Sequence, residues 1–142
     1  MILTAAQIKA DEDRWTDTFN RTFWVPDEDW LLYTVGNWYL DFLWRNGITR
    51  YKKRFNCDAF AFMFKSIANL HYASDKYCPA HTGPAEHLAL GAIRYRTQRG
   101  AHWINEAYVL RKRRIKRIWI EPEIQHFKAR RRPTSKITKR VY

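Results

Sequence analysis

The spacing of apolar residues changes near residue 88, and this change constrains the fold more than any other feature of the 142-residue chain. Before it, apolar side chains recur at helical spacing, and Asn56 is a favourable N-cap for a helix that begins at Cys57. After it, shorter apolar runs are typical of strands. The sequence therefore predicts an α+β domain with helices first and a small antiparallel sheet second. The predicted helices cover residues 5–21, 27–46 and 57–72, and the predicted strands cover residues 88–96, 102–110 and 115–121.

The last two predicted strands are joined by a short charged connection, which indicates a β-hairpin. If Leu110 pairs with Ile115, then His102 lies opposite Glu123, and Glu121 comes two residues earlier on the same strand. Side chains directly opposite each other share a face of the sheet, and side chains two residues apart do so as well. The register therefore predicts that both glutamates lie on the His102 face.

The net charge of +12 is concentrated at the C-terminus. Residues 111–142 hold thirteen basic and two acidic side chains, whereas residues 1–50 hold five basic and eight acidic ones. Such asymmetry indicates a polyanionic partner, namely a nucleic acid, an acidic protein or an anionic membrane surface; a solubilising segment without a partner is the alternative. We expect one domain over residues 1–127 and a basic tail over residues 128–142 that is mobile unless bound. The residues predicted to contact the partner are Arg130, Arg131, Arg132, Lys136, Lys139 and Arg140.

Composition predicts an intracellular globular protein. Hydrophobic residues make up 46% of the chain and aromatic residues 16%, which is enough for a packed core. The N-terminus turns acidic within eleven residues, unlike a signal peptide, and the apolar stretch at residues 30–44 is too short and too polar to span a bilayer. Two cysteines are too few for a disulfide framework. We therefore expect a cytoplasmic location and reduced thiols.

Cys57 has the setting of a nucleophile because it begins a predicted helix. The positive end of the helix dipole favours a thiolate there, although Asp58 acts in the opposite direction. Activation therefore needs a cationic partner, which a nearby histidine would supply. Of the five histidines, His102 is the best candidate, because it begins a strand just after Gly100. A carboxylate on the same face could orient its imidazole.

Three short motifs carry a resemblance to a known family: CDAFA at residues 57–61, GAHWIN at 100–105 and WIEP at 119–122. Their order resembles that of the papain-like cysteine peptidase superfamily, in particular the protease domain of the mushroom agglutinin chimerolectins. It is also similar to small phage-encoded proteins with the same motif order. The resemblance covers residues 55–123, about half of the chain.

The resemblance implies a papain-like fold and a cysteine-dependent hydrolase, a peptidase or amidase that transfers an acyl group from a peptide or amide substrate. It makes Cys57 the nucleophile, His102 the general base and Glu121 the orienting acid, with Glu123 as the alternative third member. The family is linked to calcium, but this sequence has no clustered acidic loop that would match, so neither a metal nor another cofactor is predicted. A phage-encoded protein would act in the host cell. The family's glutamine before the cysteine is missing here, which leaves the oxyanion-hole donor unidentified.

Several simpler interpretations remain open. Cys57 could be a small buried apolar residue, His102 a structural histidine and Glu121 an ordinary salt-bridge partner. Cys78 and His81 form one close pair of potential zinc ligands, but a structural zinc site normally needs two pairs, so no metal is predicted. The alternative function is that of a non-catalytic phage or host-interaction protein whose basic C-terminus binds nucleic acid or an acidic protein.

Overall fold

The computed structural model describes residues 1–10, 16–17, 22–74 and 87–142. The helical elements within these ranges are α1 (Ala5–Ala10), a π-helical segment (Trp30–Val35), α2 (Gly36–Arg45) and α3 (Cys57–Ala73). The strands are β1 (Ile2–Thr4), β2 (Thr16–Asp17), β3 (Thr22–Trp24), β4 (His87–Leu88), β5 (Leu90–Thr97), β6 (Gly100–Arg111), β7 (Arg114–Glu121), β8 (Lys128–Arg130) and β9 (Ile137–Val141).

A six-stranded sheet with the order β2-β9-β5-β6-β7-β8 forms the centre of the domain. β5, β6 and β7 form an antiparallel meander in which Leu110 pairs with Ile115, the predicted register. The turn between β6 and β7 is formed by Lys112 and Arg113, whose φ angles are 50° and 63°. Two consecutive positive φ angles are the geometry of a type I′ hairpin turn, which this chain builds without the usual Asn-Gly sequence.

α3 packs on one face of this sheet, chiefly against β6. The side chain of Asn56 accepts a hydrogen bond from the backbone N–H of Ala59 at 3.4 Å, so the predicted N-cap is present. Phe64, one turn further on, is fully buried in the core. On the sheet, the buried Asn105 donates a hydrogen bond from Nδ2 to the carbonyl of Ala61 at 2.9 Å. This bond joins the first turns of α3 directly to β6.

The second predicted helix is present as two consecutive pieces, the π-helical segment and α2. Leu31, Val35, Tyr39 and Leu43 are fully buried at intervals of four residues, so both pieces present one apolar face to the core. The helix ends before Gly47, whose φ of +71° is the left-handed conformation that commonly terminates helices.

The first predicted helix, residues 5–21, is present at its start and is wrong at Thr16–Asp17. The capping box is formed, because the side-chain Oε1 of Gln7 accepts a hydrogen bond from the backbone N–H of Thr4 at 2.8 Å. The helix that it starts covers Ala5–Ala10, whereas Thr16–Asp17 form strand β2; strand β3, Thr22–Trp24, lies just beyond the predicted helix. Leu3 pairs with Phe23 across β1 and β3, in a small sheet of order β1-β3-β4. The remaining residues of the predicted helix, 11–15 and 18–21, lie outside the described part of the chain.

The prediction of a mobile basic tail is also wrong. β8 pairs with β7 at one edge of the central sheet, and β9 lies between β5 and β2. Arg140 on β9 is 3% exposed, and its Nε donates to the carboxylate of the fully buried Glu106 at 3.2 Å. Tyr142 is buried as well, and its hydroxyl donates to the same carboxylate at 2.8 Å. Charge alone suggested a solvated segment, but an internal carboxylate gives this arginine a buried partner.

The predicted fold class needs correction for the same reason. A helix-led papain-like domain on a small sheet was expected, whereas the described residues are rich in strand and are organised around six strands. Two of the six, β8 and β9, come from the segment that was expected to lie outside the domain.

None of the helices in the described ranges has the length and apolar character needed to cross a membrane.

The buried contact between Arg140 and Glu106 generates a stability prediction. Arg140→Met should lower the free energy of unfolding by about 3 kcal/mol, because it leaves a buried carboxylate without its closest cation. Urea unfolding followed by tryptophan fluorescence measures the change. The matched control is Arg131→Met, which removes the same charge from an exposed position and should change stability by less than about 0.5 kcal/mol. Equal effects of the two substitutions would contradict the burial of Arg140.

Candidate functional site

A cleft of about 500 Å³ opens between the start of α3 and the turn that joins β5 to β6. We call it the thiol cleft, because Cys57 lies on its wall. His102, the predicted base, also lines the cleft. Among the described residues, the lining comprises Tyr51, Cys57, Thr97, Gln98, Arg99, Ala101 and His102. Two of the three residues predicted as catalytic therefore share one cleft.

Cys57 is the first residue of α3 and carries a free, partly buried thiol. Asp58 does not extend away from the helix: its Oδ1 accepts a hydrogen bond from the backbone N–H of Ala59 at 2.9 Å. Part of the negative charge of Asp58 is thus used to cap the helix N-terminus. Tyr51, another lining residue, is 52% exposed, so its aromatic side chain is accessible.

The imidazole of His102 is held by Glu121. Its Nε2 donates to Oε2 of Glu121 at 2.9 Å, and Nη1 of Arg130 donates to the same oxygen at 2.9 Å. Glu121 is largely buried, whereas the side chains of His102 and Arg130 are each about one third exposed. Nδ1 of His102 makes no hydrogen bond to any residue in the described ranges. The imidazole is thus oriented through one nitrogen and keeps the other for a further partner.

Tyr95 packs beneath this group. Its ring meets His102 edge-on, with centroids 5.6 Å apart, and the guanidinium of Arg130 lies over the ring at 5.7 Å. Burial raises the pKa of Tyr95, and the charge of Glu121 raises it further while Arg130 lowers it, so the phenol stays protonated at neutral pH. We call these four side chains the His102 group. It consists of Tyr95 from β5, His102 from β6, Glu121 from β7 and Arg130 from β8.

The alternative third member, Glu123, does not contact His102. Its carboxylate lies 3.7 Å from Nε2 of His126, in the turn that follows β7. The simple register placed Glu123 opposite His102, but the pairing of β6 with β7 ends at Asn105 and Ile120. Beyond that pair the register no longer applies, and the carboxylate that meets His102 is that of Glu121.

The residues predicted to bind a polyanion are separated by the fold. Arg130, Arg131 and Arg132 line a second cleft of about 620 Å³ with Arg96 and Lys128, which we call the basic cleft. Lys136 and Lys139 are exposed outside both clefts. Arg140 is buried against Glu106, so its assignment as a partner-binding residue is corrected: its charge serves the fold.

Sequence reasoning missed Tyr95, the Thr97–Arg99 turn and the contact of Arg130 with Glu121. The turn had one signal, the polar run between two strand patterns that ends in Gly100, whose φ is +119°. Arg130 carried no such signal, because its basic neighbours made it look like part of a solvated run. Within the described residues, no group of three or more His, Cys, Asp or Glu side chains is arranged to hold a metal ion. Cys78 and His81 lie outside the described residues.

Comparisons with known proteins place the fold but not a family. No family model matches the chain, and no curated protein matches it. Among solved structures, it resembles Polyporus squamosus lectin bound to the human-type influenza-binding epitope Neu5Aca2-6Galb1-4GlcNAc, with a TM-score of 0.69, 17% identity and 99% of this chain covered. A complex of PSL1a with E64 matches with a TM-score of 0.66, 17% identity and the same coverage. The chain spans 49% and 51% of those two chains, about half of their length.

These comparisons correct the assignment to the papain-like cysteine peptidases. The first matched structure is that of a lectin, not of a peptidase. In addition, the described residues form a sheet-rich fold and not the helix-led domain that was expected. The function inferred from the resemblance, a cysteine-dependent hydrolase of the thiol-protease type, is corrected with it, and the comparisons do not support the alternative of a phage or host-interaction protein either. The three motifs are short, and each marks a local feature: a helix start, a strand after a glycine and a strand end.

The His102 group generates a second stability prediction. Glu121→Gln should lower the free energy of unfolding by about 1–2 kcal/mol, because it weakens two charge-assisted hydrogen bonds that are partly screened by solvent. Glu123→Gln is the matched control and should change stability by less than about 0.5 kcal/mol. Urea unfolding of the two variants measures the difference. A larger loss in Glu123→Gln would show that the wrong carboxylate has been placed beside His102.

Proposed function

We propose that the thiol cleft is a ligand-binding site and that its ligand is a carbohydrate. The observation that carries this proposal is the fold likeness over 99% of the chain to a lectin whose structure holds a sialylated trisaccharide. The chemistry of the cleft agrees with it. Gln98 and Arg99 offer amide and guanidinium groups to sugar hydroxyls, and the exposed ring of Tyr51 offers an apolar face. The hydroxyl of Thr97 instead holds the turn, because it donates to the carbonyl of Gly100 and accepts from the backbone N–H of Arg99.

Because the chain spans about half of that lectin, the test must show that this half holds a glycan on its own. Backbone amide shifts in an NMR titration with Neu5Aca2-6Galb1-4GlcNAc should move at residues 97–102. Arg99→Ala should weaken binding about tenfold, the effect of losing one good charge-assisted hydrogen bond. Arg113→Ala, at the hairpin turn and outside the cleft, is the matched control and should bind normally.

Two outcomes would defeat the glycan proposal. The first is the absence of shift changes at millimolar trisaccharide. The second is shift changes at another surface that Arg99→Ala and Arg113→Ala affect equally. Either result would show that this chain does not hold the trisaccharide in the thiol cleft.

A second candidate function rests on the predicted site residues. Cys57 would act as a nucleophile, His102 would accept the thiol proton and Glu121 would stabilise the imidazolium that results. The shared cleft and the bond between His102 and Glu121 support these roles, as does the likeness to a protein solved in complex with E64. This candidate concerns the reactivity of the thiol and leaves its natural ligand open.

Thiol alkylation tests this candidate directly. With iodoacetamide, the proton of the thiol passes to His102, sulfur bonds to the methylene carbon and iodide leaves. In a Cys78→Ser background, Cys57 should react near neutral pH, and His102→Ala should slow the reaction by about tenfold or more. His126→Ala is the matched control, because His126 lies outside the thiol cleft. Equal rates in the two histidine variants would show that His102 does not activate the thiol, and an unreactive Cys57 would show that it is not a nucleophile.

A further inference from the structure

The basic cleft has an excess of positive charge that the fold does not neutralise. Five cations and two carboxylates line it, with His126 as a further titratable group. Both carboxylates already have partners, because Glu121 binds His102 and Arg130 while Glu123 lies beside His126. Within the described residues, the remaining cations have no carboxylate within 4 Å. They are Arg96, Lys128, Arg131 and Arg132.

A third cleft, larger than the basic cleft, does not have this excess. It measures about 780 Å³ and lies between the hairpin turn and the residues that precede the π-helical segment. Its four cations face three acidic residues, and Arg111 forms an ion pair with Glu28. That cleft is close to neutral although it is larger. Of these two clefts, the basic cleft is therefore the one with charge left for an anionic partner.

The shape and surroundings of the basic cleft favour a peptide over a nucleic acid. Its aromatic lining residue, Tyr95, is buried beneath Arg130, so it has no open ring on which a base could stack. Guanidinium groups match carboxylates in a planar, two-bonded geometry, and three arginines in the cleft can offer it besides Arg130. In addition, β8 is the edge strand of the six-stranded sheet, and edge strands can pair with an extended peptide.

We propose that the basic cleft binds a short acidic segment of a partner protein, an extended peptide with two or more Asp or Glu side chains. The carboxylates lie among Arg96, Arg131 and Arg132, and the peptide backbone runs beside β8. This site is distinct from the thiol cleft and does not depend on glycan binding there. The two clefts share Thr97 in their linings, so a ligand in one lies next to a ligand in the other.

Fluorescence polarisation with a labelled peptide tests the proposal on the full chain. The probe carries four Glu residues spaced by Gly and Ser, and a second probe carries Gln in their place. The Glu probe should bind, the Gln probe should not, and Arg131→Gln with Arg132→Gln should weaken the binding about tenfold or more. The matched control is Lys112→Gln with Arg113→Gln, which removes two charges at the hairpin turn and should weaken it less than about twofold.

Three results would overturn the proposal. Equal losses in the two double variants would show attraction to the net charge of the whole protein. Equal binding of the Glu and Gln probes would show that carboxylates are not recognised. Tighter, cleft-dependent binding of a single-stranded oligonucleotide of equal charge would make the partner a nucleic acid. A circular dichroism spectrum of each variant confirms that folding is unchanged, so a lost signal is read as lost binding.

Discussion

One buried carboxylate holds the central sheet together. Glu106 lies on β6 with no solvent exposure, and four side chains from β7, β9 and the C-terminal residue surround it. Trp119 donates its indole N–H at 2.7 Å, and Arg140 and Tyr142 donate from the C-terminal segment, while Arg117 lies 3.9 Å away. A buried charge is tolerated only when it is paired and hydrogen-bonded. The last strand must therefore be in place for this carboxylate to be satisfied.

The strand packing around Glu106 also positions the residues of the candidate sites. Once β7 and β8 are fixed beside β6, Glu121 meets His102 on one side and Arg130 on the other. Asn105 joins β6 to the first turns of α3, so Cys57 at the start of α3 lies in one cleft with His102, near the start of β6. The thiol cleft and the basic cleft thus both depend on strands at the C-terminal end of the chain. Their positions follow from packing in the sheet, not from a local sequence motif.

Local signals in the sequence predicted local structure well. The N-cap at Asn56, the helix stop near Gly47 and the hairpin register of Leu110 with Ile115 are all present. Each of these features depends on a few residues that are close together in the sequence, so the sequence alone was enough to predict it. The extent of the sheet was not predictable in this way, because the run of basic residues around β8 and β9 looks solvated until Glu106 is known to face Arg140. The contact of Glu121 with His102 was anticipated, but Arg130 and Tyr95 beside it were not, because the pairing of β8 with β7 and of β5 with β6 was not predicted from the sequence.

The central claim is that the C-terminal segment is a structural part of the sheet, held by Glu106. Hydrogen–deuterium exchange on the intact protein measures this most directly. The backbone amides of Ile137–Val141 should exchange as slowly as those of β5, with which β9 pairs, and Glu106→Gln should accelerate exchange in β9 more than in α3. Exchange of the Ile137–Val141 amides within seconds in the unmodified protein would contradict the account, because it would mean that the C-terminus is the mobile tail that its charge suggested.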